Sequence, residues 1–335
     1  MRGVKVGWIL AGILAAIVVV VAAIGGWYDL ALRPVSHPSS KSLDYTLAPG
    51  TKVTDVATQL QHQGIIRSAT AFTWYVTLTD LRRSLEAGDY SLNPGQSTPQ
   101  IAHVIAGGQV AQHNLVVPEG STVTQIRAAA GKQGITAAAF NAALGASYTS
   151  TVLAGRPAGD SSLEGYLYPD TYEVKQPPNA QTVIQTMLDT FSRQVDATDI
   201  PQGFAAEGLS LHQGVTLASI VEKEVPGAQD QAMVAQVFLN RIKDGLPLQS
   251  DVTVDYAAEL TGLPFSTTLN SPYNTYVNKG LPPGPICNPG LSAMKAVAHP
   301  TPNSYLYFVA GKDGVTHYAT TYAQHQQNVQ LYLNQ

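Results

Sequence analysis

Two glutamates, Glu222 and Glu224, stand one residue apart at the end of the apolar stretch at residues 218–225, "ASIVEKEV". A carboxyl group works as a general acid or base near neutral pH only when its surroundings raise its pKa toward that range. An ordinary amphipathic helix keeps its charged residues on the outer face, in solvent. The first question about function is therefore which of these two carboxylates turns away from solvent.

Helical periodicity separates the two glutamates. On a helix with 100° per residue, Glu224 falls within the arc of apolar side chains, whereas Glu222 and Lys223 fall outside it. The apolar arc contains Leu217, Ala218, Ile220, Val221 and Val225. The pattern predicts that Glu224 faces the core or a cleft, and that Glu222 and Lys223 lie near solvent.

Pro226 determines where this helix ends. Proline disfavours helical geometry at the residue before it, so the helix is predicted to stop at Val225 with Glu224 in its last turn. The negative end of the helix dipole and partial burial both favour a protonated carboxyl, so both should raise the pKa of Glu224. The alternative is a structural carboxylate at the edge of the core, paired with an arginine such as Arg241.

Two further carboxylates compete for a role in chemistry. Glu164 lies in "LEGYLYPDTYEV" at residues 163–174, where it is expected on a loop or strand end. It could equally accept hydrogen bonds from the backbone amides of a turn. Asp251 lies in "LQSDVTV". If the reaction were the hydrolysis of a glycosidic bond, which uses two carboxylates at a set separation, Glu164 or Asp251 would be the candidate for the second group beside Glu224.

Composition narrows the classes of function. The chain has 335 residues, 13% of them charged, and a net charge of −4, which gives no reason to expect a nucleic-acid partner. The single cysteine, Cys287, excludes an internal disulfide and a cysteine-based metal cage. The eight histidines lack the H-x-x-x-H spacing of a zinc helix, and no glycine-rich nucleotide-binding motif is present. The sequence predicts neither a metal nor a cofactor.

The N-terminal segment is long and apolar. Residues 6–27 form a run of 22 without a charge, enough to cross a hydrocarbon core as a helix. Two basic residues precede it and Trp8 and Trp27 lie near its ends, as at membrane interfaces. We expect a single-pass signal anchor in the cytoplasmic membrane at residues 7–28, with residues 1–6 in the cytoplasm and the remainder outside it. A cleaved signal peptide is the alternative, but no A-x-A site closes the run.

The rest of the chain is predicted to be α+β. Residues 29–42 are rich in proline and serine and are expected to form a linker. A unit made of a short strand, a proline–glycine turn and an amphipathic helix then recurs, with copies that begin at Tyr45, Tyr90 and Leu115. Residues 43–112 are predicted to form a small α+β domain. Residues 113–335 are predicted to form a larger one, in which helices alternate with loops rich in tyrosine, asparagine and proline.

Several motifs in these loops resemble those of a known protein family. The motifs "LEGYLYPDTY", "ASIVEKE", "VFLNRI", "LPLQSDVTV", "SPYNTYVNKGLPPGPI", "NPG" and "YLYFVA" follow one another in this order. Together they make the sequence similar to the YceG-like family of endolytic murein transglycosylases over nearly the whole chain after the anchor. The resemblance implies a transmembrane helix, a small LysM-like α+β domain, and a larger mixed α/β catalytic domain with a lysozyme-like active-site helix.

The resemblance also implies an activity. The family's catalytic glutamate is the second of the E-K-E motif, which falls on Glu224. It implies cleavage of the β-1,4 bond between MurNAc and GlcNAc in nascent peptidoglycan, which leaves 1,6-anhydroMurNAc ends and terminates glycan elongation. The expected partners are peptidoglycan strands, the cytoplasmic membrane and peptidoglycan synthases.

Side chains that bind the sugar are expected around that glutamate. The residues predicted to bind substrate are Glu164, Asn240, Gln249, Asp251, Tyr273 and Asn274, and Tyr166, Tyr168 and Tyr276 are possible stacking faces. The sequence departs from the family pattern at two positions. Val225 replaces the threonine of E-K-E-T, and Val252 replaces the proline of Q-T-D-P. The first departure removes a hydroxyl from the residue next to the predicted acid.

Two rival functions follow from the same residues. One is a catalytically weak glycan-binding scaffold of the cell-wall synthesis machinery, which the LysM-like module and the altered E-K-E-V motif would suit. The other is a muramidase that uses water, with a second carboxylate as its base.

Overall fold

The computed structural model describes residues 2–37, 41–108, 114–157, 159, 161–175 and 178–333, with side chains from residue 12 onward. The chain divides into two compact units. Met1–Gln112 with Lys175–Pro177 form the first, and His113–Val174 with Pro178–Gln335 form the second. Residues 112 and 113, where the two domains were predicted to meet, lie outside the described residues, as do residues 38–40 of the predicted linker.

The first unit begins with a long apolar helix, α1 (Arg2–Leu32). Its segment Gly12–Leu32 has a mean hydropathy of 2.1 and is long and apolar enough to cross a membrane. It is the one helix of this kind in the described part of the chain. The helix continues past the predicted end at residue 28, so the first residues of the predicted linker are helical.

The rest of the first unit is a small α+β structure. Its elements in chain order are β1 (Leu43–Leu47), α2 (Val53–His62), α3 (Ala69–Leu78), a 3-10 turn (Leu81–Arg83), β2 (Gly88–Leu92) and α4 (Thr98–Ala106). The two strands pair antiparallel, with Tyr45 opposite Tyr90. Helices α2, α3 and α4 enclose a core that includes Leu60, Phe72 and Ile101, all fully buried. The predicted strand–turn–helix unit is present twice here.

Local sequence signals explain where these helices begin. Ser68 accepts a hydrogen bond from the Ala71 amide at the start of α3, as is typical of a serine at this position. Ser97 and Gln100 form a capping box at the start of α4, in which each side chain satisfies a backbone amide of the other residue. Such caps fix the helix starts, so that the buried faces of α3 and α4 meet in the core.

The segment that follows α1 is bonded to the small α+β structure. The Arg67 guanidinium donates through Nε to the carbonyl of Pro34 at 2.8 Å. The amides of Val35 and Ser36 both donate to the carbonyl of Pro94, at 3.0 and 3.1 Å. Residues 34–36, which belong to the predicted linker, are therefore held in place by these hydrogen bonds.

The second unit is mainly helical. Its elements are β3 (Asn114–Val116), α5 (Val123–Gly131), α6 (Ala137–Leu144), a 3-10 turn (Thr151–Leu153), β4 (Thr171–Glu173), α7 (Ala180–Asp196), α8 (Ile200–Ala206), α9 (Leu211–Glu224), α10 (Ala228–Lys243), α11 (Asp251–Thr261), α12 (Leu291–Ala298), β5 (Tyr307–Ala310), β6 (Thr316–Ala319), α13 (Tyr322–Asn328) and a π-helical turn (Val329–Leu333). Strands β3 and β4 pair antiparallel, as do β5 and β6. The third strand–turn–helix copy is β3 with α5.

Helix α9 runs through the core of the second unit. Ser210 and Gln213 form a capping box at its start, and every residue from His212 to Val221 except Gln213 is buried. The helix packs against α8, α10, α11 and α12. It ends at Glu224, and Val225 already has extended backbone angles, as Pro226 predicts. Because the core holds α9 along most of its length, the C-terminal end of the helix and Glu224 have a fixed position in the second unit.

Candidate active site

The Glu224 side chain lines a groove of about 430 Å³ at the C-terminal end of α9. The groove is formed by the ends of α9, α10 and α11, the loop before α11, strand β5 and the C-terminal helix α13 with its π-helical turn. Its lining residues are Glu224, Phe238, Arg241, Leu248, Gln249, Asp251, Tyr276, Tyr307, Phe308, Val309, Ala310, Tyr322, His325, Val329 and Leu333. Of the residues predicted from sequence, the groove brings together Glu224, Gln249, Asp251 and Tyr276.

The Glu224 carboxyl has one direct partner. The Ser250 hydroxyl donates a hydrogen bond to Oε1 of Glu224, at 2.5 Å. Burial raises the pKa of Glu224 to about 7, the Ser250 hydrogen bond lowers it, and the nearby carboxylates of Asp251 and Asp255 raise it. A carboxyl that titrates near neutral pH can donate a proton and later accept one, which is what general acid–base catalysis requires.

The alternative role of Glu224, as the partner of Arg241, is not found. No ion pair involves Glu224 among the residues that the structure describes. The Arg241 guanidinium is buried and donates instead to the carbonyls of Pro247 and Leu306 and to Oε1 of Gln249. Glu224 therefore has no cation that would hold it permanently ionised.

Ser250 is itself fixed by buried hydroxyl groups. Its amide donates to the Thr275 hydroxyl at 3.1 Å, and its carbonyl accepts from the Thr253 hydroxyl at 2.7 Å. The Thr253 and Thr275 hydroxyls lie 2.8 Å apart, and all three residues are buried. The Ser250 hydroxyl is thus held toward Glu224 by contacts with residues that do not line the groove.

Gln249 has an unusual backbone. Its φ of 52° places a residue with a Cβ atom in the left-handed region, where a functional constraint is the common reason for the strain. Because arginine has no acceptor, the Gln249 amide must present its oxygen to Arg241, at 2.5 Å. Its Nε2 is then directed away from Arg241, and the side chain is exposed in the groove. Gln249 offers the groove two N–H donors.

Asp251 and Tyr276 form the side of the groove beside Gln249. The Tyr276 hydroxyl donates to Oδ1 of Asp251 at 2.6 Å. Strand β5 and α13 contribute aromatic rings to the lining, where Tyr307 stacks on His325 with ring centroids 5.4 Å apart and lies 5.9 Å from Tyr322. A groove lined by hydrogen-bonding groups and by aromatic rings suits a sugar, which has both polar edges and apolar faces.

Glu164 lies outside the groove, at the start of α5. Its carboxylate accepts from the Val123 amide at 3.0 and 3.1 Å, from the Asn288 amide at 3.0 Å and from the Tyr256 hydroxyl at 3.4 Å. Burial raises its pKa to about 7. The contact with a backbone amide matches the second interpretation of this residue, an acceptor that stabilises a turn or helix start.

The other predicted binding residues do not line this groove. Asn240 donates to the carbonyls of Asn303 and Tyr305, which fixes the chain before β5. Asn274 is fully buried and donates to the carbonyls of Thr267 and Leu269. Tyr273 packs against Tyr256 with ring centroids 5.0 Å apart. Asn240 on α10 and Asn274 in its own loop thus bind backbone carbonyl groups, and sugar binding by these residues and by Tyr273 stays a prediction.

The two family positions that differ in this sequence are also explained by packing. Val225 is buried and belongs to the core, and Val252 is partly buried against the same core. The hydroxyl next to the acid is supplied by Ser250, and not by residue 225. Glu222 is partly buried instead of exposed, because it accepts from the Gly290 amide at 3.1 Å.

Comparisons with known proteins show the family of this chain. The sequence model of the YceG-like family matches residues 45–331. The chain belongs to the YceG-like family. It is also similar to the crystal structure of a YceG-like protein from Listeria monocytogenes, with 31% sequence identity and a TM-score of 0.56 over 86% of this chain and 99% of that chain.

Two curated relatives are similar along most of the chain. An endolytic murein transglycosylase of Bacillus subtilis is 32% identical over 320 residues, which cover 90% of this chain and 88% of that protein. An endolytic murein transglycosylase of Streptococcus pneumoniae serotype 2 is 30% identical over 338 residues, or 90% of this chain. The chain spans 60% of the length of that pneumococcal relative.

Sequence reasoning missed the residues that hold the acid in place. Ser250 lies beside the predicted Gln249 and Asp251, but its contact with Glu224 joins residues 26 positions apart. Arg241 was considered only as a partner of Glu224, and its contact with Gln249 was not expected. The signal that could have found Ser250 is the hydroxyl of the family's Q-T-D-P pattern, which is retained here as Q-S-D.

Proposed function

We propose that this chain is an endolytic lytic transglycosylase that cleaves the β-1,4 bond between MurNAc and GlcNAc in peptidoglycan strands. The observation that carries the proposal is the state of Glu224, a carboxyl that forms no ion pair with any described residue and whose pKa is raised by burial to about 7, in a groove that a sugar would fit. Membership of the YceG-like family and the names of its relatives support it.

The first step uses Glu224 as an acid. In its protonated form it gives a proton to the glycosidic oxygen, while the bond from that oxygen to C1 of MurNAc breaks and positive charge develops on the sugar. The GlcNAc side leaves with a new hydroxyl. The raised pKa makes this step effective near neutral pH, since a carboxyl with an ordinary pKa would already be ionised.

The second step uses the same residue as a base. The Glu224 carboxylate takes the proton of the MurNAc C6 hydroxyl, and O6 forms a bond to C1, which closes the 1,6-anhydro ring. The proton that Glu224 lost in the first step is thereby returned, and no water is consumed. Ser250 donates to the carboxylate when it is ionised, which supports the intermediate stage between the two steps.

Substrate binding would use the groove around the acid. Gln249 would donate from Nε2 to a sugar acceptor, and Asp251 and Tyr276 would bind sugar hydroxyls along the same edge. Tyr322, which is exposed, would offer a face for stacking. This assignment covers the groove residues alone and leaves Glu164, Asn240 and Asn274 with structural roles.

The first unit would place the enzyme at its substrate. We propose that α1 anchors the chain in the cytoplasmic membrane with the second unit outside the cytoplasm, as the basic residues before it favour. The order strand–helix–helix–strand in β1, α2, α3 and β2 supports a LysM-like, glycan-binding domain. Cleavage beside the membrane would terminate growing strands, in the vicinity of peptidoglycan synthases.

Mass spectrometry of the products tests the reaction. Purified full-length protein should release fragments with 1,6-anhydro ends from isolated glycan strands, and Glu224→Gln should abolish release. Glu222→Gln is the matched control, because it changes the neighbouring carboxyl outside the groove and should retain activity. Reducing ends would instead identify a muramidase, with Asp251 in the groove as the candidate base. Release that is unchanged in Glu224→Gln would exclude catalysis by this residue.

A further inference from the structure

The C-terminal end of α1 has a predictable depth if this helix spans a membrane. The uncharged residues 6–27 extend over about 33 Å as a helix, close to the roughly 30 Å of a hydrocarbon core. Trp27 then lies at one boundary of that core, where tryptophan rings prefer to sit. Anything that contacts Trp27 directly must lie near the same boundary.

Helix α3 of the small α+β structure makes that contact. The Trp74 ring meets the Trp27 ring edge to face, with centroids 5.9 Å apart, and its centroid is 6.1 Å from that of Tyr28. Leu78 follows one helical turn later, on the same face of α3. Trp74 is 45% exposed and Leu78 is 77% exposed. Together their side chains form a large apolar surface on one face of α3.

Other contacts fix the orientation of α3 relative to the end of α1. Ala31 of α1 is buried, and the chain after α1 is bonded through Pro34 to Arg67, immediately before α3. The carbonyl of Pro94, before α4, accepts from the amides of Val35 and Ser36. The exposed face of α3 cannot turn away from the end of α1 while these bonds are made.

We propose that the face of α3 that carries Trp74 and Leu78 rests in the interfacial layer of the membrane. The centroid distance of 5.9 Å limits the difference in depth between Trp74 and Trp27 to the thickness of one headgroup layer, which is roughly 5–8 Å. The partner of this surface is lipid, and the small α+β structure lies against the bilayer as an extension of its anchor. This inference rests on the part of the proposed function in which α1 spans the membrane.

The chain offers a direct measurement, because it contains three tryptophans. Full-length protein with Trp8→Phe and Trp27→Phe retains Trp74 as its single tryptophan. In nanodiscs of phosphatidylglycerol and phosphatidylcholine, lipids brominated near the headgroup end of the acyl chain should quench Trp74. The expected quenching is close to that of Trp27 in the matched Trp8→Phe, Trp74→Phe protein, and aqueous iodide should quench Trp74 weakly.

Two further proteins complete the test. Trp8→Phe, Trp27→Phe, Trp74→Phe with Leu78→Trp should also be quenched by the bromolipids. The same background with Thr58→Trp, at an exposed position of α2, should be quenched by iodide and not by the bromolipids. Strong quenching of Trp74 by iodide overturns the proposal, and so does protection of Trp74 from both quenchers, which indicates a protein partner or second copy. If the bromolipids do not quench Trp27 in its single-tryptophan protein, the proposal that α1 spans the membrane is wrong.

Discussion

The Ser250 hydroxyl donates to the Glu224 carboxylate at 2.5 Å, across the gap between the end of α9 and the start of α11. This bond joins two residues that are each held by other parts of the core. Glu224 is carried by a buried helix, and Ser250 is fixed by Thr253 and Thr275. The carboxylate therefore has one preferred position before substrate arrives, which reduces the reorganisation that proton transfer would require.

Ser250→Ala should move the pH dependence of activity. The hydroxyl stabilises the ionised carboxylate, so its loss should raise the pKa of Glu224 and shift the alkaline limb of the activity profile upward by about one pH unit. The maximal rate should fall about tenfold because the carboxyl is less well positioned. Rates of glycan cleavage between pH 5 and about 9 provide the measurement. Ser250→Thr keeps the hydroxyl and should restore the profile; an unshifted limb in Ser250→Ala would count against the bond's role.

Glu224→Gln should stabilise the fold at high pH. The pKa of Glu224 is 4.5 when unperturbed and about 7 in the folded protein, so the folded state binds its proton more tightly. The preference of the folded state for protonated Glu224 contributes fully to the free energy of unfolding below pH 4.5, and this contribution is lost as the pH rises through about 7. Glutamine carries no such penalty, so the variant should gain at most about 3 kcal/mol relative to the natural protein between pH 4 and pH 8. Thermal unfolding at both pH values measures this, and an equal difference at the two values would contradict it.

Val225→Thr should not improve the enzyme. The substitution restores the hydroxyl that the family pattern has at this position, but residue 225 is buried in the core. A buried hydroxyl without a partner costs about 1–2 kcal/mol, so the melting temperature should fall. The rate should stay within about twofold, because Ser250 already supplies the donor to Glu224. A large gain in rate would show that residue 225 faces the groove.

Gln249→Glu should weaken substrate binding without weakening the fold. The carboxylate still accepts from Arg241, but the two N–H donors of the amide are lost. The KM for glycan strands should rise about tenfold, as expected for one lost hydrogen bond with its desolvation cost. Gln202→Glu makes the same chemical change at an exposed position of α8 and should leave KM as it is. Equal KM values for the two variants would show that Gln249 does not contribute to substrate binding.

Glu164→Ala should destabilise the second unit. The Val123 amide and the Asn288 amide both lose their acceptor in a buried place, which costs about 2–4 kcal/mol in the free energy of unfolding. Glu164→Gln retains one acceptor oxygen and should lose less than Glu164→Ala. Thermal unfolding compares the three proteins. If Glu164→Ala instead kept its melting temperature and lost activity, Glu164 would have a direct role in the reaction.

Several features of the fold and site could be predicted from short-range patterns. Periodicity placed Glu224 with the apolar face of its helix, and Pro226 marked the helix end, because both signals act within a few residues. The cap at Ser68 and the repeated strand–turn–helix unit are local in the same sense. Such features depend on local backbone geometry and on which face of a helix is apolar, and both can be derived from the sequence of a single helix or turn.

Other features depend on contacts that no local pattern contains. The strained φ of Gln249 exists because Arg241 and Thr275 hold that residue from two separate segments. Asn274 looked like a sugar-binding side chain by its residue type, but its amide satisfies the carbonyls of its own loop. A polar residue in a loop serves the loop or the ligand according to where its neighbours fold, and that information is tertiary.

The C-terminal part of the chain closes one side of the groove, since Tyr322, His325, Val329 and Leu333 all line it. This has a practical consequence for anyone who expresses the protein. An affinity tag fused after residue 335 begins three positions after the groove residue Leu333, and a deletion of the last helical turns removes part of the groove lining. Low activity in such preparations would report on the tag or the deletion, so tags belong at the N-terminus.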